Sequence, residues 1–251
     1  MRYQFVDCRF DLAEPARARA GYLAGHIPGA SFLDLDDELS DMREAPARGR
    51  HPLPTTDAFA AAAGRAGIGA GVFVVAYDTG MPGGAARLWW LLRHYGHDEV
   101  AVIEGGLDAW QGPLETGAVE TPPVTFEPRE RTGDAMTADE IHARLGDPRL
   151  AIVDARAPAR FAGEPSADPL ANVDPAAGHI PGAVNVPFVG AREFGPEVLD
   201  ADDIVVYCGS GVTACVDLLA LHAAGRTDAR LYPGSWSEWS RRGLPIAMGE
   251  G

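Results

Sequence analysis

Cysteine is scarce in this chain, and Cys8, Cys208 and Cys215 have no spacing typical of a zinc site. A small, odd count also argues against a disulfide framework. Positive charge is deficient as well, since 21 Lys and Arg stand against 36 Asp and Glu, giving a net charge of −15. Such a chain repels polyanions, so nucleic acid is not expected as a partner.

Long apolar segments are absent too. No run approaches the roughly 20 residues that cross a bilayer, and the first ten residues, MRYQFVDCRF, lack the basic and apolar regions of a signal peptide. We therefore expect a soluble cytoplasmic protein with no membrane partner.

The strongest pattern present is an internal repeat. The hexapeptide GHIPGA begins at residues 25 and 178, and matching apolar segments accompany each copy in the same order. The matching segments are FVDCR (5–9) and IVDAR (152–156), VFVVAYD (72–78) and IVVYC (204–208), AARLWWLLRHYG (85–96) and TACVDLLALHAAG (213–225), and VAVIEGGLDAW (100–110) and ARLYPGSWSEW (229–239). Short β-branched runs alternating with helical segments predict parallel strands flanked by helices.

Two α/β domains follow from this repeat, each a parallel sheet flanked by helices. The segment at 112–133, rich in Pro, Gly, Thr and Glu, is typical of a linker. We place the first domain at 1–122 and the second at 123–251.

Alignment of the repeats puts Asp78 where Cys208 stands, so thiol chemistry is expected only in the second half. Both residues follow a strand, at the sheet edge where ligands bind in such folds. The backbone amides of Gly209, Ser210, Gly211, Val212 and Thr213 are expected to turn toward the Cys208 sulfur and favour a solvent-reachable thiolate. The hydroxyls of Ser210 and Thr213 add donors.

The doubled GHIPGA, the loop CGSGVT and the closing GSWSEW together resemble the tandem-domain rhodanese family, over nearly the whole chain. The loop looks like that of 3-mercaptopyruvate sulfurtransferases, whereas thiosulfate enzymes usually carry basic residues there. The resemblance implies that Cys208 takes sulfur from mercaptopyruvate or thiosulfate as a persulfide. Cyanide or a thiol such as thioredoxin then accepts the sulfur, and no metal or organic cofactor is required.

The resemblance also implies site residues for an anionic donor. Arg160 matches a family arginine that binds the donor's negative end, with a surface ion pair to Glu164 as the alternative. A second family arginine is missing, because residues 161–177 contain no basic residue. The candidates to replace it are Arg48, Arg50, His51 and Arg87.

His26 matches a family histidine beside the cleft that acts with an upstream acid and the loop serine, and Glu14 is the candidate for that acid. His179, in the second copy of the turn, is expected to be structural. Trp236 is expected to line the pocket, with burial in the core as its alternative.

Other interpretations remain open at this point. Cys208 alone could be a buried core cysteine, and Cys215 is expected to pack within its helix. A cysteine phosphatase would need an arginine six positions after the nucleophile, where Ala214 stands. A non-enzymatic binding module is the remaining alternative.

Overall fold

The computed structural model describes residues 2–79, 83–164, 173–190 and 193–249. The chain forms two compact units. The first comprises Met1–Asp41 and Leu53–Arg131, and the second comprises Met42–Pro52 and Thr132–Gly251.

This division differs from the predicted one in two places. Residues 123–131 pack with the first unit, where Val124 N–H donates to Gly64 and Arg129 N–H donates to Tyr95. The segment Met42–Pro52 belongs to the second unit although it lies within the first repeat. The composition of 112–133 did not indicate that its last part packs with the first unit, and no pattern in 42–52 indicated that this segment packs with the second.

The first unit contains one four-stranded parallel sheet in the order β2-β1-β3-β4. Its strands are β1 (Arg2–Asp7), β2 (Ser31–Phe32), β3 (Val72–Tyr77) and β4 (Val100–Val102). Its helices are α1 (Ala16–Ala24), α2 (Thr56–Arg65) and α3 (Gly84–His94), with a 3-10 turn at Gly106–Ala109.

The second unit repeats this topology with the order β6-β5-β7-β8, again parallel. Its strands are β5 (Leu150–Asp154), β6 (Ala183–Asn185), β7 (Asp203–Tyr207) and β8 (Arg230–Leu231). Its helices are α4 (Ala138–Ala143), α5 (Pro158–Ala162), α6 (Pro196–Leu199), α7 (Ala214–Ala223) and α8 (Ser235–Arg241). The prediction of two α/β units with parallel sheets is confirmed.

The central strand β7 shows why these segments form strands at all. Ile204, Val205, Val206 and Tyr207 are each 0% exposed. Burying such side chains is worth about 1.5–3 kcal/mol each, and β-branched residues suit a strand covered on both faces. The strand stops where the sequence changes to CGSGVT.

Equivalent hydrogen bonds join the turn to the central strand in each unit. Ile27 N–H donates to the Tyr77 hydroxyl and Ile180 N–H donates to the Tyr207 hydroxyl, both at 3.1 Å. Asp78 and Cys208 each follow the tyrosine directly. The predicted equivalence of Asp78 and Cys208 thus has a counterpart in the contacts of the two sheets.

Candidate active site

Cys208 is fixed through its backbone at the carboxyl end of β7. Its N–H donates to Ser235 Oγ at 3.1 Å, and its carbonyl accepts from Trp236 N–H at 3.0 Å. Ser235 has a φ of 52°, an unfavourable value for a non-glycine residue. Its hydroxyl also donates to Tyr232 O at 2.9 Å, so Ser235 holds two segments together where the strand ends.

The Cys208 sulfur accepts a hydrogen bond from Gly211 N–H at 3.1 Å. Gly211 has a φ of +77°, and a Cβ at this position would lie 2.4 Å from Pro233 O. Only glycine fits both the conformation and the space. The loop therefore needs Gly211 to aim its N–H at the sulfur.

The predicted cradle is smaller than expected. Among the described residues, Gly211 alone of the five loop amides is seen to donate to the sulfur. Cys208 is also only 1% exposed, whereas a solvent-reachable thiol was expected. The residue is held from two sides, by Ser235 and Trp236 at its backbone and by Gly211 at its sulfur.

The remaining loop residues mainly hold the backbone. The Gly209 carbonyl accepts from Ser237 N–H at 3.0 Å, and the Val212 carbonyl accepts from Cys215 N–H at 3.1 Å. Thr213 directly precedes α7, and its side chain makes no capping hydrogen bond. The described contacts of Val212 and Thr213 thus shape the loop and the start of α7 and do not involve the sulfur.

A histidine contacts the loop serine, and it is His51. Its Nδ1 lies 2.7 Å from Ser210 Oγ, and both residues are almost fully buried. The distance is that of a hydrogen bond, in which either atom can be the donor according to the tautomer of the ring. Sequence reasoning had proposed a histidine and this serine, but with His26 as the histidine.

Two guanidinium groups lie over Gly209, the residue after the nucleophile. A Cβ at Gly209 would lie 2.7 Å from Arg50 Nη2 and 3.2 Å from Arg160 Nη2. Both arginines hydrogen-bond to Asp174, Arg160 at 3.2 Å. Burial lowers the pKa of the Arg160 guanidinium, and the neighbouring Arg156 charge acts in the same direction. Positive charge is thus concentrated beside the loop.

His26 has a structural role in the first unit, and its predicted role in the site stays a prediction. It is 0% exposed in the first unit, its Nδ1 lies 2.8 Å from Tyr22 O and its ring stacks on Tyr22. His179 makes the same contact with Phe161 O at 2.8 Å and stacks on Phe161. Both histidines fix the turn in their own unit, as was predicted for His179 only.

Trp236 is buried in the second unit. It is 1% exposed within the core cluster of the second unit. Its indole N–H donates to Ala176 O, and the Arg156 guanidinium lies 4.7 Å from its ring centroid. These contacts hold the ring in place, and its role beside the pocket stays a prediction.

The other basic and acidic candidates lie elsewhere. Arg87 is fully buried in the first unit, where its guanidinium contacts the Leu39 carbonyl. Arg48 is exposed, and Glu14 is exposed in the first unit beside Arg17. Of the four candidates for the missing charge, Arg50 and His51 are the two that reach the loop.

Asp174 was missed by sequence reasoning. Residues 161–177 contain no basic residue, and Asp174 is one of several acids in that segment. The usable signal was charge complementarity, because an arginine that is largely removed from water is usually paired with a carboxylate. Arg160 pairs with Asp174 rather than with Glu164.

Cys215 behaves as expected of a packing residue. It is 0% exposed, and its thiol lies 3.5 Å from Gly211 O. Within the described ranges, no group of His, Cys, Asp and Glu is arranged to hold a metal ion. None of the helices described here is long and apolar enough to cross a membrane.

Known proteins share both the sequence and the fold. The rhodanese-like domain family matches residues 1–113 and 137–242. A Pseudomonas aeruginosa protein assigned as a 3-mercaptopyruvate sulfurtransferase is 41% identical over 268 aligned positions, covering 98% of this chain and 92% of the relative. A Mycobacterium tuberculosis protein assigned as a thiosulfate sulfurtransferase, SseB, is 41% identical over 256 positions, covering 94% of this chain and 87% of that protein.

Among solved structures, SseA from Escherichia coli, described as a 3-mercaptopyruvate sulfotransferase with the rhodanese fold, has a TM-score of 0.77 at 36% identity. The alignment covers 93% of this chain and 92% of SseA. With both repeats matched and near-complete coverage in each comparison, this chain belongs to the rhodanese family.

Proposed function

We propose that this protein is a sulfurtransferase in which Cys208 removes one sulfur atom from a small anionic donor and carries it as a persulfide. The observation that carries the proposal is the Gly211 N–H, 3.1 Å from the Cys208 sulfur at the end of β7. An amide in that position stabilises negative charge on a thiolate and then on the persulfide that replaces it.

With thiosulfate as donor, no proton has to move. The Cys208 thiolate attacks the outer sulfur, an S–S bond forms, and the donor's own S–S bond breaks as sulfite leaves with the electron pair. The enzyme is left as a persulfide anion, so charge and atoms balance. Arg50 and Arg160, over Gly209, attract the donor's negative end.

With 3-mercaptopyruvate as donor, a proton must be handled. The thiolate attacks the donor sulfur, the carbon–sulfur bond breaks, and the electron pair stays on carbon as the enolate of pyruvate. The donor's thiol proton is then needed on that carbon. The His51–Ser210 pair, 2.7 Å apart, suits this transfer by general acid–base catalysis. The pair therefore favours mercaptopyruvate as the better donor.

The second half of the cycle transfers the sulfur to an acceptor and regenerates the free enzyme. Cyanide attacks the outer sulfur of the persulfide and leaves as thiocyanate, regenerating the Cys208 thiolate. A thiol acceptor such as thioredoxin would instead leave as its own persulfide. Thioredoxin as the acceptor and a cytoplasmic location stay predictions.

Mass spectrometry of the intact protein tests the proposal. After incubation with mercaptopyruvate or thiosulfate, the wild-type protein should gain one sulfur atom on Cys208. A Cys8→Ser variant is the matched control, because Cys8 is a buried cysteine of the first unit, and it should load normally. A Cys208→Ser variant should gain none, and sulfur loading in that variant would refute the proposal.

A further inference from the structure

Asp174 lies between two arginines from distant parts of the chain. Its Oδ1 accepts from Arg50 Nη1 and its Oδ2 accepts from Arg160 Nη2. The Asp174 side chain is 2% exposed, whereas those of Arg50 and Arg160 are 25% and 18% exposed. One buried carboxylate therefore holds two partly open guanidiniums together.

The two guanidiniums face the loop that carries the nucleophile. Arg50 Nη2 and Arg160 Nη1 and Nη2 all lie within 3.5 Å of the position that a Gly209 Cβ would occupy. An anion bound to them is thereby held next to Cys208. Asp174 is the internal anion that already occupies part of their hydrogen-bonding capacity.

The charge of this cluster is one positive unit. Arg50 and Arg160 contribute two charges, and the Asp174 carboxylate cancels one. The nearby Arg156 adds little, because it forms a buried bidentate pair with Asp154. Without Asp174, the same surface would present two uncompensated guanidiniums to an incoming donor.

We propose that Asp174 is a specificity-determining residue, which lowers the positive charge over the Cys208 loop and so favours a donor with one negative charge over a dianion. This inference rests on the proposed sulfur transfer and names the donor class within it. Mercaptopyruvate carries a single carboxylate, whereas thiosulfate carries two negative charges. A one-unit change in site charge acts twice as strongly on a dianion as on a monoanion, since Coulomb energy scales with the product of the charges.

The test is the ratio of kcat/KM for thiosulfate to kcat/KM for mercaptopyruvate. Asp174→Asn keeps the size of the side chain and removes its charge. The ratio should rise about tenfold, since a unit charge within hydrogen-bonding distance commonly shifts such equilibria by a factor of ten or more. A purely structural role would lower both constants without changing their ratio.

Asp139→Asn is the matched control. Asp139 pairs with Arg242 on the surface of the same unit and is 76% exposed. The substitution adds the same unit of charge to the protein away from the loop. The ratio should stay at the wild-type value, and an equal rise in this variant would overturn the assignment to Asp174.

Arg50→Gln supplies a second variant with the opposite sign. It lowers the cluster charge, so the ratio should fall several-fold. If circular dichroism shows that Asp174→Asn is unfolded, the ratio measured for Arg50→Gln tests the proposal instead. An unchanged ratio in either folded variant overturns the proposal while leaving sulfur transfer intact.

Equilibrium binding gives a readout that does not depend on turnover. Inorganic sulfate and pyruvate serve as dianion and monoanion probes in isothermal titration calorimetry. Asp174→Asn should tighten sulfate binding about tenfold more than pyruvate binding, and equal tightening of both would overturn the proposal. If the wild-type protein takes sulfur from neither donor, the proposed function fails, and this binding ratio still tests the charge argument separately.

Discussion

The two units share one topology and differ in what fills the equivalent loop. In the first, the Asp78 carboxylate accepts from Gly83 N–H at 2.9 Å and Ala85 N–H at 3.1 Å, at the start of α3. In the second, the Cys208 sulfur accepts from Gly211 N–H before α7. The same loop position thus carries a carboxylate held by amides at the helix start in one unit, and a thiol held by an amide within the loop in the other.

Cysteines also differ between the units. Cys8 lies beside the first loop, where burial raises its pKa well above the usual thiol value, with Asp7 and Asp78 acting in the same direction. A thiol held neutral in this way is unreactive. The first unit therefore has a cysteine near its loop and no thiolate to use.

Cys208→Asp should have the largest effect on activity, since it places in the second loop the residue type that Asp78 supplies in the first. Sulfur transfer should be lost entirely, because a carboxylate cannot carry sulfur. The fold should survive, as it does around Asp78. Thermal unfolding and kinetic assays would measure both, and a variant that fails to fold would show that the two loops are not interchangeable.

His51→Ala should have the next largest effect. Removing the partner of Ser210 should lower kcat with mercaptopyruvate about a hundredfold, within the range for general acid–base catalysis. Thiosulfate turnover should change far less, because sulfite leaves without a proton. Parallel loss with both donors would show that His51 only supports the loop.

Gly209→Ala should produce a smaller, several-fold rise in the donor KM. The new methyl group would meet the movable end of the Arg50 side chain and displace its guanidinium. Steady-state kinetics would measure the change. Gly182→Ala is a control that adds the same methyl group to the same unit at a position where no atom lies within 4 Å, and it should leave KM unaffected.

Asp78→Asn should change stability rather than activity. Burial raises the pKa of the Asp78 carboxyl in spite of the amide hydrogen bonds that oppose the shift. An acid whose pKa is higher in the folded state than in the unfolded state favours folding while it is protonated. That contribution is present below the unfolded-state pKa and is lost as the pH rises through the folded-state pKa. The variant should therefore gain stability relative to wild type as pH rises, measured by denaturant unfolding. A gain on lowering the pH would contradict this sign.

His26→Gln should have the smallest effect, about 1 kcal/mol of unfolding free energy from the lost contact with Tyr22 O. The donor KM should not change, since His26 is buried in the first unit. A large rise in KM would support the sequence-based assignment of His26 to the site. His179→Gln, which alters the equivalent turn contact, provides the comparison for stability.

Much of the fold was predictable because it depends on local patterns. The β-branched runs, the helical segments and the doubled GHIPGA turn all lie within short stretches of sequence. The position of Cys208 after β7 followed from the same patterns. Alignment of the two copies then identified Asp78 as its counterpart.

The surroundings of Cys208 were harder to predict because they come from distant contacts. His51 and Ser210 are 159 residues apart in sequence, and Arg50 and Asp174 are 124 apart. The segment 42–52 has no periodic pattern that would indicate where it packs. Four candidates for the missing charge could therefore be named, but not ranked.

The packing of Met42–Pro52 with the second unit gives the first repeat a reason to be retained. Although it has no nucleophile, this repeat encodes the segment that places Arg50 and His51 at the Cys208 loop of the second unit. A fragment cut between the repeats would keep Cys208 and yet lose both side chains. The second unit is thus complete only with a segment encoded within the first repeat.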